Sequence, residues 1–121
     1  MLIRFKKRTE KIAMGLLSFM PEEKEVKRLQ DTIHEYEVND NWQLFLWKEA
    51  DDVLGAIGVC LDQGNGRAII QHLTVTPSHR SQGIGKKMVQ EVKKLYADRY
   101  QVVGNDLTGK FFEKCQEEAE E

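Results

Sequence analysis

Cysteine and proline are both scarce in this chain of 121 residues, with two of each. Cys60 and Cys115 cannot build a disulfide framework, and neither sits in a metal-like spacing, so a reducing, cytoplasmic setting is expected. Long apolar runs are missing too. None approaches the roughly 20 residues that span a bilayer, and no membrane association is expected. Arg4, Lys6, Lys7 and Arg8 before the run Ile12–Met20 have the outline of a secretory signal, but Pro-Glu-Glu-Lys-Glu follows where a small-residue cleavage site would stand. No pair among the three histidines has a metal spacing, so no metal is expected.

What is present is an ordinary globular composition, 40% hydrophobic and 31% charged. Such a length suits one domain, expected over residues 1–115, with Gln116–Glu121 as a frayed acidic tail. The net charge of −2 gives no general attraction to nucleic acid, and the basic residues are not interleaved with aromatics. The acids are unevenly placed, however. No Asp or Glu occurs from Gln63 to Gln90, a stretch that carries Arg67, Arg80, Lys86 and Lys87. That local positive region suits an anionic ligand.

Periodicity predicts a short strand over Met1–Lys6, then a helix from Thr9 with Ile12, Leu16 and Phe19 inward, ending near Met20-Pro21. Pro21-Glu22-Glu23 has the chemistry of a second helix start, with Val26, Leu29, Ile33 and Tyr36 as its buried stripe. Three strands follow, Trp42–Lys48, Val53–Leu61 and Arg67–Thr76. Asp51-Asp52 is the first turn between them and Gln63-Gly64-Asn65-Gly66 the second. Trp42, Phe45 and Trp47 read as core or as a pocket lining. Beyond Pro77, Ile84, Met88, Val92 and Leu95, with Val89 and Tyr96 beside them, mark an amphipathic helix, Tyr100–Val103 a strand and Leu107–Cys115 a last short helix. The fold class is α/β (α+β), with a mixed central sheet and the order β-α-α-β-β-β-α-β-α; its single βαβ unit would cross over right-handed.

The run His72-Leu-Thr-Val-Thr-Pro-Ser-His-Arg-Ser-Gln-Gly-Ile-Gly-Lys-Lys-Met88 puts glycines where a strand and turn deliver a helix start. Such a start has unpaired N–H groups and partial positive charge, and Gly83 and Gly85 carry no side chain to hold a phosphate away. A pyrophosphate fits. A nucleoside-triphosphate loop does not, because Arg80 stands at its first glycine and Lys87 at its Ser or Thr. A dinucleotide fingerprint would need its third glycine at Met88, and the chain is too short for both halves of that fold.

Arg80-Ser-Gln-Gly83-Ile-Gly85 resembles the Q/R-x-x-G-x-G/A signature of the GNAT superfamily of acetyl-coenzyme A-dependent N-acyltransferases, and Leu73-Thr-Val75-x-Pro77 resembles that family's central strand and turn. Across the whole chain, including Lys11–Met20, the sequence is similar to small GNAT-like proteins encoded beside riboflavin-synthesis genes. The resemblance implies transfer of acetyl from acetyl-coenzyme A to an amine of a small molecule, and the similarity to the riboflavin-associated proteins implies one linked to riboflavin metabolism. The coenzyme-binding set it implies is Leu73, Thr74, Val75, Arg80, Ser81, Gln82, Gly83, Ile84, Gly85, Lys86 and Asn105. Amides from Gln82 to Lys86 would hold the pyrophosphate, with Arg80 shaping the loop. Leu73 and Val75 would offer main-chain groups to the pantetheine arm.

Two departures stand beside that match. Phe112, in Phe111-Phe112-Glu113-Lys114, occupies the position where the family often has a tyrosine that protonates the leaving thiolate. The usual pair of C-terminal strands is replaced by the acidic tail, which leaves the acceptor site open or completed by a second copy in a homodimer. A protein that binds coenzyme A and acts through protein contacts, with little catalysis, is the alternative. An alkyl amine of pKa about 10.4 needs help losing a proton at neutral pH. With no carboxylate on the central strand, His72 is the candidate base, with Asp106 behind it, although a strand histidine can equally be a hydrogen-bonded structural residue. An aromatic or heterocyclic amine, already neutral at pH 7, would need no base.

Overall fold

The computed structural model describes residues 1–20, 23, 25–80, 82–105 and 108. Within them the elements are β1 (Leu2–Arg4), α1 (Glu10–Leu17), α2 (Val26–Val38), β2 (Trp42–Glu49), β3 (Asp52–Asp62), β4 (Arg67–Val75), α3 (Ile84–Tyr96) and β5 (Gln101–Gly104). The strands form one sheet in the order β1-β2-β3-β4-β5. The first four are antiparallel and β5 joins β4 in parallel. That parallel step needs a crossover, and α3 supplies it. The mixed α/β architecture and the element order through β5 are as expected. The expected helix Leu107–Cys115 and the acidic tail lie outside the described residues, Thr108 excepted.

Side chains alternate across a strand, so each face of the sheet collects its own core. On one face Phe45, Trp47, Ile57, Val59, Ala68 and Ile70 pack against Ile84, Met88, Val89, Val92 and Tyr96 of α3. On the other, Leu44, Leu46 and Ala56 meet Ala13, Leu16 and Leu17 of α1 and Leu29, Ile33 and Tyr36 of α2. Each large apolar side chain buried this way contributes about 1.5–3 kcal/mol before entropy is counted. Phe45 and Trp47 are core rather than pocket lining.

Several local expectations are corrected. In α1 the buried residues are Ala13, Leu16 and Leu17, while Ile12 and Phe19 are 48% and 43% exposed. The α2 helix starts at Val26 rather than Pro21, and Val26 itself is exposed; Thr32 joins Leu29, Ile33 and Tyr36 on its buried side. Leu95 is exposed, whereas Val89 and Tyr96 beside that stripe are buried as expected. The β2–β3 turn is Ala50-Asp51, with Ala50 at φ 53°, because Glu49 pairs with Asp52. The β3–β4 turn is where Gly64 and its neighbours predict it: Asp62 pairs with Arg67, Gly66 has φ 63°, and the Asp62 carboxylate accepts from the Asn65 amide and side chain.

One irregularity positions the site. Gly58 pairs with His72 but Val59 pairs with Ile70, so Gln71 is an extra residue bulged from β4. A bulge shifts the alternation by one. Ile70 therefore faces α3, whereas His72 faces α2.

Candidate functional site

Two features of β4 and its surroundings meet at one end of the sheet. The first is an open strand edge. β5 pairs with β4 only from Arg67↔Gln101 to Ile70↔Gly104, so β4 from Gln71 onward has no described partner on that side. Thr76 donates its amide to Leu54 O on β3 at 2.8 Å. Backbone groups alternate between neighbours along a strand, so the N–H and C=O of Leu73 and Val75 point to the open edge. Thr74 turns its backbone toward β3, and its side chain is buried.

Thr108 marks where the β4–β5 pairing ends. Its hydroxyl donates to Ile70 O at 2.6 Å, at the last β4–β5 pair, and it is buried. Asn105 and Thr108 also exchange hydrogen bonds: the Asn105 amide donates to Thr108 Oγ1 at 3.0 Å, and the Thr108 amide to Asn105 Oδ1 at 2.9 Å. The Asn105 side-chain oxygen is thus engaged in a local turn. Thr108 was not singled out from sequence, where an isolated threonine after a strand carries no signal.

The second feature is the helix start. Pro77 has no N–H to extend the ladder, and Pro77–His79 forms a short 3₁₀ turn. The Arg80 guanidinium folds back, donating from Nε to Val75 O at 3.1 Å and lying 5.8 Å from the centre of the Phe19 ring. Gly83 then adopts φ 79°, a left-handed conformation that glycine takes without strain, and caps α3. An α-helical bond runs from the Lys87 amide to Gly83 O at 3.0 Å, so Gly83 stands at the N-terminal end of α3. Gln82 and Gly83 are exposed, Lys86 is half-buried, and Ile84 and Gly85 are buried beneath them. Leu73, Val75, Arg80, Gln82, Gly83, Ile84, Gly85 and Lys86 thus lie along the end of β4, the turn after it and the start of α3. Ser81 lies outside the described residues.

The acetyltransferase (GNAT) family model matches residues 10–116. The chain belongs to that family. An uncharacterized N-acetyltransferase in the lysA 3' region of Bacillus methanolicus is 53% identical over 116 residues, covering 96% of this chain and 95% of that one. Among solved structures, aminoglycoside N-acetyltransferase AAC(6')-Iy, in complex with a bisubstrate analogue, superposes with a TM-score of 0.78 at 13% identity, over 98% of this chain and 87% of that one. Spermidine N-acetyltransferase from Vibrio cholerae, in complex with coenzyme A and spermine, gives 0.70 at 11% identity, over 86% and 69%. The structural likenesses establish the fold. Membership places this GNAT chain among the acyl-coenzyme A-dependent N-acyltransferases.

The GNAT sheet here holds a buried polar cluster on its α1/α2 face. His72, 5% exposed, has both ring nitrogens engaged. Nδ1 is 2.6 Å from the Tyr36 hydroxyl and Nε2 is 3.1 Å from Glu23 Oε1. Glu23 is 1% exposed; its Oε2 accepts from Thr32 Oγ1 at 2.9 Å, and Arg28 Nε lies 3.7 Å from Oε1. Burial pushes the Tyr36 hydroxyl well above its usual range, helped by the nearby charges of Cys60 and Glu23. The raised phenol keeps its proton and can donate it to Nδ1, while Nε2 faces the Glu23 carboxylate. The sequence expectation paired His72 with Asp106, which lies outside the described residues. Its partner in the structure is Glu23, 49 residues away. Among the described residues no group of His, Cys, Asp or Glu could hold a metal ion, and no helix is long and apolar enough to cross a membrane.

Proposed function

We propose that this GNAT protein transfers the acetyl group of acetyl-coenzyme A to an amine of a small molecule. The observation that carries this reading is the left-handed Gly83 start of α3 set beside the open β4 edge at Leu73–Val75. The coenzyme's pyrophosphate would sit on the first turn of α3, with Arg80 and Lys86 close by. Its pantetheine arm would take the place of a strand against Leu73 and Val75. When bound, it supplies a thioester carbonyl open to attack by nitrogen. Each such hydrogen bond is worth about 1 kcal/mol net, and micromolar affinity needs about 8 kcal/mol, so binding is spread over the whole loop and strand edge. Small amines are what the aminoglycoside and spermidine enzymes above act on by name, which supports the same acceptor class here. A link to riboflavin metabolism rests on sequence likeness alone and makes heteroaromatic amines part of the acceptor screen. The base belongs to the cluster around His72. We further propose a cytoplasmic, single-domain protein over residues 1–115 that pairs as a homodimer, which sedimentation velocity would test against a 14.0 kDa monomer.

Calorimetric titration with acetyl-coenzyme A, dephospho-coenzyme A and ATP is the deciding experiment, followed by an amine panel read by thiol release. Micromolar binding of acetyl-coenzyme A without an ATP response supports the cofactor; release of thiol with an amine supports transfer. Binding without release from any amine would favour the alternative suggested by Phe112, a coenzyme A-binding protein that acts through protein contacts. No heat with folded protein would overturn the reading altogether.

A further inference from the structure

Phe19 is a large apolar side chain that belongs to neither core of the sheet. It is exposed, although Leu17 before it and Met20 after it are buried. Its backbone is fixed. Past the end of α1 the Phe19 amide donates to Leu16 O at 3.2 Å and the Met20 amide to Leu17 O at 3.0 Å. Ser18 Oγ donates to Gly15 O at 2.6 Å in the same turn. A tight turn anchored by two buried neighbours therefore presents the ring at one place on the surface. What stands there is Arg80, its guanidinium carbon 5.8 Å from the ring centre.

Arg80 is held from a second side as well. Its Nε donates at 3.1 Å to the oxygen of Val75, the last residue of β4. Thr76 turns its own amide to β3, so Val75 O lies on the open edge, beyond the last β4–β5 pair. The guanidinium thus closes that edge where the turn toward α3 begins. Among the described residues no carboxylate pairs with it. The aromatic partner matters for this reason. A carboxylate under Arg80 would hold the group by cancelling its charge. A ring face attracts the cation and leaves its charge and its remaining N–H groups for another ligand. An arginine already confined between a ring and a carbonyl also has less side-chain freedom to lose when an anion arrives.

We propose that Phe19 is a positioning residue for coenzyme binding. It acts through Arg80, holding the guanidinium, still charged, between the end of the β4 edge and the start of α3. This rests on the coenzyme reading above and extends it to the connection after α1. The ligand chemistry it serves is a pyrophosphate: Arg80 meets that charge where a chain lying along Leu73 and Val75 would reach the helix start.

The test is a double-mutant cycle on the full chain, read as acetyl-coenzyme A affinity by calorimetry. Phe19→Leu keeps an apolar side chain and removes the ring face. Phe19→Trp keeps a face, and Arg80→Gln removes the guanidinium. Phe19→Leu is expected to weaken binding about two- to fivefold, the range of an exposed cation–π contact, while Phe19→Trp binds at least as tightly as the wild type. In the Arg80→Gln background, Phe19→Leu is expected to add no further loss. Unchanged affinity in Phe19→Leu would overturn the role, as would an equal loss in Phe19→Trp. The same loss with and without Arg80 would overturn it too, since the ring would then touch the ligand or support the fold by itself. Should Arg80→Gln fail to fold, the comparison of Phe19→Leu with Phe19→Trp decides: equal losses overturn the role. These outcomes concern Phe19 alone and leave the coenzyme reading in place, whereas a wild-type chain that binds no acetyl-coenzyme A would overturn both.

Discussion

Gly58 is where the absence of a side chain matters most. It sits in the middle of β3, paired with Leu44 on one side and His72 on the other. A Cβ built there would come 1.9 Å from the Tyr36 hydroxyl and 2.6 Å from its Cζ. A strand paired on both sides cannot retreat, so the ring would have to leave, and with it the hydrogen bond to His72. Gly15, in α1, has nothing within 4 Å of such a carbon. The two glycines therefore predict opposite outcomes for the same substitution. Gly58→Ala is expected to destabilise by about 1–3 kcal/mol, the usual cost of overpacking. Gly15→Ala is expected to stabilise by up to about 1 kcal/mol, from helix propensity alone. Urea denaturation of both variants checks this, and equal effects would mean that Tyr36 does not occupy its place against β3.

Between elements, Tyr96 ties α3 to β2. Its hydroxyl donates to Gln43 Oε1, and its ring meets Phe45 and Tyr100 edge-on at 6.5 and 5.8 Å. Burial pushes this phenol up to about 12, against a partial pull downward from Arg4 and Arg99. The folded state thus holds the proton more tightly than the unfolded chain, so Tyr96 contributes stability that is complete below about pH 10 and is lost as pH rises toward 12. The full difference is on the order of 2 kcal/mol. In Tyr96→Phe that alkaline loss should shrink, while stability near neutrality falls by about 1 kcal/mol for the missing hydrogen bond. Denaturation curves at pH 8 and pH 11 separate the two effects; an identical fall in both proteins would refute the assignment. Local chemistry made much of this scale readable in advance: the Gln63–Gly66 turn, the stop at Pro77 and the α3 start at Gly83 each follow from what one or two residues tolerate. The inward face of α1 did not follow, because Ile12–Met20 is apolar on nearly every side and only packing chooses among them. By its sequence Glu23 is a helix opener after Pro21. Nothing near it in sequence announces a partner 49 residues away, and the Gln71 bulge that turns His72 toward it is equally silent.

At the scale of the whole molecule, charge and fold point to the same end. The acid-free stretch 63–90 is β4, the turn at Pro77–His79 and the first half of α3, so its exposed Arg80 and Lys87 surround a helix N-terminus with no carboxylate of that stretch to offset them. An anionic ligand held there binds only the folded chain, because the site is assembled from the end of β4 and the start of α3. Binding must then stabilise the fold by mass action, by about 2.7 kcal/mol at a ligand concentration 100 times its Kd. For a chain of this length that corresponds to a rise in Tm on the order of 10 °C. Acetyl-coenzyme A should produce the rise and ATP at equal concentration should not, because ATP has no arm to lie against Leu73 and Val75. Part of the attraction is between charges exposed to solvent, so the rise should shrink as salt shortens the screening length from about 30 Å at 0.01 M to about 8 Å at 0.15 M. A shift as large with ATP would mean that the helix start binds phosphate without the strand edge taking part, and the open edge of β4 would then need another explanation.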